Sequence, residues 1–336
     1  MDALTLADVL AARRTTAAIA VRTPLVPSPF LSRRCGRDFL LKLENTQPTG
    51  AFKLRGAANA VMRLPADVPG VTCCSTGNHG RGVAYAARAR GLRAVICMSS
   101  LVPRTKIDGI EALGATVRIV GRSQDDALAE SRRLAAEEGL AEISPFDDPA
   151  VIAGQGTIGL ELMEDRPDLA AVLVPLSGGG LAAGIALAAK AARPDVRVVG
   201  VTMDRGAAMH ASLAAGRPVE VEEVESLADS LGGGIGLDNR LSYPMCRALL
   251  DDTVLVAEEE IYGAMQTLYY EDGIVAEGAS VVGIAALVAG KLPAFDGPVA
   301  TIVTGRNVDM RVFTDVVTGR DVALGTVTVE GRTYAA

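Results

Sequence analysis

From Val71 onward the chain alternates short, unbroken apolar runs with stretches of helical periodicity. Residues 71–74, 94–98 and 116–120 read as strands, and residues 80–90, 104–113 and 125–138 as the helices that follow them. Prolines interrupt the pattern at 145–149. It resumes with strands at 171–175, 196–201 and 299–304 and helices at 181–192 and 279–289. A helical stretch at 4–18 and a short apolar run at 39–43 come before it. Strands covered on both faces lose the polar–apolar alternation of half-exposed ones, so such runs separated by helices mean βαβ units and parallel sheets. The expected fold class is α/β, with two doubly wound parallel-sheet domains. Residues 1–68 and 145–336 would form the larger, and residues 69–144, inserted into it, the smaller. After Val308 the chain reads as a helix and a short hairpin.

Composition removes several functions. Lys and Arg number 33 against 40 Asp and Glu, a net charge of −7 that fits a nucleic-acid partner poorly. Only two histidines, His79 and His210, are present, too few for a multi-histidine metal site. Residues 169–189 carry no charge, but Pro175 and Gly178-Gly179-Gly180 in their middle read as strand, turn and helix, not as a membrane span. Five cysteines without a CxxC pair and a start lacking a basic then apolar segment fit a cytoplasmic protein. Glycine is the outlier, with 36 of 336 residues against a usual share of roughly 7%.

Many of those glycines fall in turns after strands, where open α/β sheets bind ligands. In Pro175-Leu176-Ser177-Gly178-Gly179-Gly180-Leu181, bare backbone followed by a helix N-terminus suits a phosphate. A tight turn that binds nothing fits equally well. Ser75-Thr76-Gly77-Asn78-His79-Gly80 offers hydroxyl, amide and N–H groups to a carboxylate or phenolate, though Ser75 or Thr76 could simply cap the helix. Lys53, between Phe52 and Leu54, is a usable amine nucleophile if desolvated and an ordinary surface lysine if not. A fourth turn, Thr304-Gly305-Arg306-Asn307, ends the last strand.

Together, Thr49-Gly50-Ala51-Phe52-Lys53-Leu54-Arg55-Gly56-Ala57, Ser75-Thr76-Gly77-Asn78-His79 and the glycine turn resemble one family over about residues 6–309. These are the fold type II pyridoxal-phosphate enzymes of the serine/threonine dehydratase and serine racemase group, with a tryptophan synthase β-like fold. The resemblance implies that Lys53 holds pyridoxal 5'-phosphate as a Schiff base and is the catalytic residue. It implies that Phe52 packs beside the cofactor ring and that Ser177, Gly178, Gly179, Gly180 and Leu181 cradle its phosphate. Asn78 would bond the phenolic oxygen and Thr304 would face the pyridine nitrogen. Ser75, Thr76, Gly77 and His79 would hold the substrate carboxylate. The implied reaction takes a β-hydroxy-α-amino acid to a 2-oxo acid and ammonia, in a homodimer. A hydroxyl rather than a carboxylate at the ring nitrogen makes a weaker electron sink, which favours prompt β-elimination. Racemase and β-replacement chemistry are the alternatives within the fold, and a non-catalytic phosphate-binding sensor the alternative outside it.

The chain also departs from that family. Racemases carry serine where Thr76 stands. Where relatives have Gly-Val-Glu-Pro, with the glutamate on a divalent ion, this chain has Gly200-Val201-Thr202-Met203, and Ala208 replaces a further acidic ligand; no metal is expected. Arg306 stands where relatives have glycine, and Glu277 matches an acidic position near the ring. The absence of a long regulatory region after the core fits a catabolic enzyme. Residues 203–210 and 227–240 resemble the dehydratase of hydroxyectoine utilisation, whose ring-opened substrate is an acetylated 3-hydroxy-2,4-diaminobutyrate. The glycines within 230–236 would leave room for such a side chain.

Overall fold

The apolar runs form two separate sheets in the computed structural model, which describes residues 4–335 apart from Thr76, Leu101 and Pro103. The strands are β1 (Leu25–Pro27), β2 (Phe39–Lys42), β3 (Gly70–Cys74), β4 (Arg93–Met98), β5 (Thr116–Ile119), β6 (Ala141–Glu142), β7 (Ala171–Pro175), β8 (Arg197–Met203), β9 (Asp252–Val256), β10 (Val299–Ile302), β11 (Val322–Leu324) and β12 (Val327–Val329). The helices are α1 (Leu6–Thr16), α2 (Pro29–Cys35), α3 (Lys53–Met62), α4 (Asn78–Arg90), α5 (Arg104–Glu111), α6 (Gln124–Glu138), α7 (Pro149–Asp165), α8 (Gly180–Ala192), α9 (Ala208–Ala215), α10 (Ser242–Leu249), α11 (Glu258–Asp272), α12 (Val282–Val288) and α13 (Met310–Val317).

The larger sheet has the order β1-β2-β10-β7-β8-β9, parallel except for the edge strand β1. The smaller sheet, β5-β4-β3-β6, is parallel throughout and built only from residues 70–142. Adjacent residues of one strand serve opposite cores. Leu40 joins Val172, Val174 and Val198 against the α7 and α8 side, whereas Leu41 joins Leu173, Val199 and Val201 against α11 and α12. Both faces are therefore apolar, which explains the lack of alternation in sequence. The hairpin expected in the tail is β11–β12, and α13 precedes it.

Helix α7, buried from Val151 to Met163, fills the stretch after the proline break. Asp148 caps it, its Oδ1 accepting from the Val151 N–H at 2.9 Å, and Pro149 opens its first turn. Its glycines correct the expectation that the glycine excess belongs to a binding site. A Cβ at Gly156 would stand 2.9 Å from the Gly184 carbonyl, and one at Gly159 2.8 Å from the Ile185 carbonyl. These glycines let α7 cross α8 at backbone contact. Gly80 is likewise a packing residue, with Ile110 and Ile96 at 3.0 and 3.1 Å from where its Cβ would be. We expect Gly184→Ala, whose methyl would meet the Ile152 carbonyl and the Gly156 nitrogen, to cost about 1–3 kcal/mol of stability through overpacking. Urea unfolding of the two proteins measures it; an unchanged midpoint would mean that the helices separate freely.

Candidate active site

All four singled-out segments leave the carboxyl ends of parallel strands: β2, β3, β7 and β10. The first leads through residues 43–52 to Lys53, the first residue of α3. Lys53 is half-buried, its Nζ lying 5.4 Å from the Phe52 ring centroid and donating to the Pro145 carbonyl at 2.7 Å. Burial pulls its ammonium down to about 8. A carbonyl accepts from either form of the amine and supplies no charge to hold the proton. The uptake of an aldehyde cofactor by cofactor-free protein is therefore expected to accelerate about tenfold per pH unit up to pH 8 and level off above it. An ordinary lysine would keep accelerating toward about 10.4. Stopped-flow absorbance against pH separates the two.

The residue after Pro145 closes the other side. A Cβ on Gly178 would collide with the Phe146 ring, and one on Gly180 would lie 2.7 Å from the Phe146 carbonyl. Residues 145–146 thus bridge Lys53 and the glycine turn. Gly179 has φ +87, conformational space that only glycine enters cheaply, and its Cβ would meet the Met209 methyl at 2.6 Å and Cys246 Sγ at 2.9 Å. Cys246 donates its thiol to the Gly179 carbonyl at 3.5 Å. Ser177 is half-buried and makes no side-chain hydrogen bond among the described residues; Leu181 is buried in the core beneath. The first turn of the 13-residue helix α8 faces this bare backbone with unpaired N–H groups and the positive end of its dipole.

The loop after β3 behaves partly as the plainer reading has it. Ser75 Oγ accepts from the N–H groups of Gly77 at 3.3 Å and Gly80 at 3.0 Å, capping α4. The role expected of Thr76 lies outside the described residues. His79 turns away from the cleft. Its Nε2 is 2.9 Å from the Ile143 carbonyl, so that nitrogen carries the proton, and Nδ1 is buried without a partner among the described residues. Burial, with the Lys53 charge, pushes it down to about 3, and it stays neutral under any working condition.

Asn78 holds a cluster that the sequence did not reveal. Its Nδ2 donates to Glu277 Oε1 at 2.8 Å and its Oδ1 accepts from Asn307 Nδ2 at 2.7 Å. Ser230 Oγ donates to the same Glu277 oxygen at 3.1 Å. Burial and then the charge of Asp229 push the Glu277 carboxyl up to about 7. Thr304 Oγ1 lies 3.0 Å from Ser280 Oγ, which also bridges the N–H and carbonyl of Gly305 at 2.7 and 2.8 Å. Arg306 is exposed, and its Nη1 donates to the Asn45 carbonyl, so it braces the turn rather than facing a ligand. The roles of Asn307, Ser230, Ser280 and Phe146 cannot be read from a single sequence, because they depend on partners 24 to 258 residues away or on backbone contact.

Below the site, Arg55 is buried two residues beyond Lys53. It forks onto Glu44 at 2.8 and 2.8 Å and onto Glu161 at 2.7 and 2.9 Å, while Lys42 Nζ donates to Glu161 at 2.6 Å. Two cations and two anions, all almost sealed from water, tie α3 to β2 and α7.

A desolvated lysine facing an anion cradle of consecutive glycines, with hydroxyl and amide groups on the remaining walls, defines an enzyme that holds a phosphorylated aldehyde cofactor. The chain belongs to the family described as pyridoxal-phosphate dependent enzymes, whose model matches residues 18–305. It is 56% identical over 318 residues to a Sinorhizobium fredii protein that carries a provisional threonine dehydratase name, covering 94% of this chain and 96% of that one. It is 40% identical to the L-threonine ammonia-lyase of Thermotoga maritima, covering 94% of this chain and 78% of that one. Among solved structures, maize serine racemase matches with a TM-score of 0.89 at 31% identity, covering 94% and 97% of the two chains. The cofactor is pyridoxal phosphate. An amine at Lys53, bare backbone at the glycine turn and hydroxyls at Ser177 and Thr304 are groups of the kinds that would fit such a cofactor. Among the described residues no helix is long and apolar enough to cross a membrane.

Proposed function

We propose that this enzyme is an ammonia-lyase of β-hydroxy-α-amino acids. The observation that carries the reading is the Lys53 amine held on the Pro145 carbonyl, next to Phe146, which packs against Gly178 and Gly180 at the start of α8. Bound pyridoxal phosphate supplies the electron sink that makes a substrate α-proton acidic. Lys53 Nζ holds the cofactor and, when an amino acid displaces it, is the base that takes the α-proton. A base with pKa near 8 is well matched to that task at neutral pH. Ser177 and residues 178–181 hold the phosphate, Phe52 lies against the ring, Asn78 positions the phenolic oxygen and Thr304 meets the ring nitrogen. Ser75, Thr76, Gly77 and His79 take the substrate carboxylate. The β-hydroxyl then leaves as water, and the freed enamine is hydrolysed to a 2-oxo acid and ammonia.

The finer reading is a role in hydroxyectoine catabolism, on the acetylated 3-hydroxy-2,4-diaminobutyrate. Its support is the resemblance of residues 203–210 and 227–240 and the open space at Gly232, Gly233 and Gly234, where added side chains would meet nothing closer than 3.3 Å. Threonine or serine, the substrate named for the ammonia-lyase relative in the first case, and 3-hydroxyaspartate are the alternatives within the same reaction. Racemisation is the second reading, favoured by the likeness to maize serine racemase. We further take the chain to divide into a unit of 69–144 inserted into 1–68 with 145–336, and to work as a cytoplasmic, metal-free homodimer without nucleic-acid or membrane partners. A panel assay of 2-oxo acid release over these substrates, with chiral analysis of what remains, tests the reading. Fastest release from the acetylated diamino acid supports the finer assignment, and inversion faster than release would favour the racemase.

A further inference from the structure

Arg81, in the first turn of α4, is a charged group without a side-chain partner among the described residues. It lies on α4 three residues after Asn78, hence on the same helix face. Its guanidinium lies directly over Gly109 of α5, where any side chain would displace it. It is half-buried and makes no side-chain hydrogen bond or ion pair among the described residues. Its surroundings are otherwise satisfied. Lys106, one turn before Gly109, pairs with Asp229 at 2.9 Å; the next residue, Ser230, donates to Glu277, and Glu277 in turn accepts from Asn78. Arg81 therefore stands among α4, α5 and the 229–230 turn, within the electrostatic reach of Glu277 but not bonded to it. An arginine held partly out of water without an acceptor costs free energy unless a ligand supplies one. Its planar fork matches a carboxylate or an acyl oxygen.

We propose that Arg81 is the specificity-determining residue for the far end of the substrate, binding a hydrogen-bond acceptor carried beyond the β-carbon. The proposal rests on the ammonia-lyase reading and names its substrate class: β-hydroxy-α-amino acids that end in a carboxylate or an acylated amine rather than a methyl. Gly109 is what gives the guanidinium its place, and the glycines at 232–234, just after the 229–230 turn, leave open space for a longer chain.

The test uses the holoenzyme and its Arg81→Gln and Arg81→Lys variants with L-threonine, 3-hydroxyaspartate and γ-N-acetyl-2,4-diamino-3-hydroxybutyrate. The readouts are kcat and KM from 2-oxo acid release and Kd from the change in cofactor absorbance. A charge-assisted hydrogen bond of this kind corresponds to about 10- to 100-fold in affinity. Arg81→Gln is expected to lower kcat/KM for an acceptor-bearing substrate by that factor, chiefly through KM, and at least tenfold more than for threonine. Arg81→Lys should recover part of the loss. The larger loss with 3-hydroxyaspartate assigns a carboxylate end, and with the acetylated compound an acyl end. A loss shared equally by all three, or none, overturns the proposal, as does a wild type that binds neither acceptor-bearing compound more tightly than threonine. If the wild type releases no 2-oxo acid from any substrate, the lyase reading fails instead, and the Kd ratios still decide the case of Arg81.

Discussion

Lys53→Ala is expected to abolish turnover, by on the order of 10³-fold or more, while the protein stays folded. The variant loses two roles of one amine: attachment of the cofactor and removal of the α-proton. Lys53→Arg should fail as completely, because a guanidinium stays protonated and is no nucleophile at any usable pH. Neither change should unfold the chain. Among the described residues the amine makes one hydrogen bond, to the Pro145 carbonyl, and burial already works against its charge. The measurement pairs turnover with the visible absorbance of bound pyridoxal phosphate after dialysis and with thermal unfolding. Retained turnover in Lys53→Ala would mean that another group takes the α-proton and would remove Lys53 from the mechanism. Loss of activity with loss of fold would make Lys53 a structural residue.

Arg55→Ala should show the opposite profile, with stability lost first. Glu44 and Glu161 would remain buried at 0% and 5% exposure, and Lys42 can offset only one of them, through its 2.6 Å bond to Glu161. Breaking a buried ion pair from one side costs about 3–5 kcal/mol, because the remaining charge is desolvated and unpaired. Burial opposes the charge of Arg55, but Glu44 and Glu161 outweigh it and hold the guanidinium above its ordinary value. In a domain of this size the loss corresponds to a Tm decrease on the order of 10 °C. Calorimetry of holoenzyme and variant measures it. A decrease of a degree or less would mean that water enters the network and that it contributes little to fixing α3.

How much of this was legible in the sequence depended on range. Parallel strands buried on both faces leave an unmistakable apolar run, so β3, β4, β7, β8 and β10 fall where the pattern places them. Helix α7 did not stand out, since a helix apolar on nearly every side has no periodicity to detect, and only Asp148-Pro149 marked its start. The glycine turn and Lys53 were readable because backbone approach and a reactive amine demand particular residue types at one place. The hold of Glu277 by Asn78 and Ser230 was not, since it joins residues 199 and 47 positions apart. Ser75 shows where residue type misleads: a serine before a helix serves as cap and as ligand donor alike, and here its oxygen is engaged by two N–H groups. The glycines of α7 and α8 carried the same ambiguity, and only the crossing of two helices separates them from those at the site.

The central claim is that this enzyme eliminates water and then ammonia from a β-hydroxy-α-amino acid. It is tested most directly by following one substrate, L-threonine or the acetylated diamino acid, in deuterated water with purified holoenzyme. Equimolar 2-oxo acid and ammonia, with deuterium entering the product at the former β-carbon and unreacted substrate keeping its configuration, is the predicted result. Substrate recovered inverted and deuterated at the α-carbon, without matching ammonia, would contradict it.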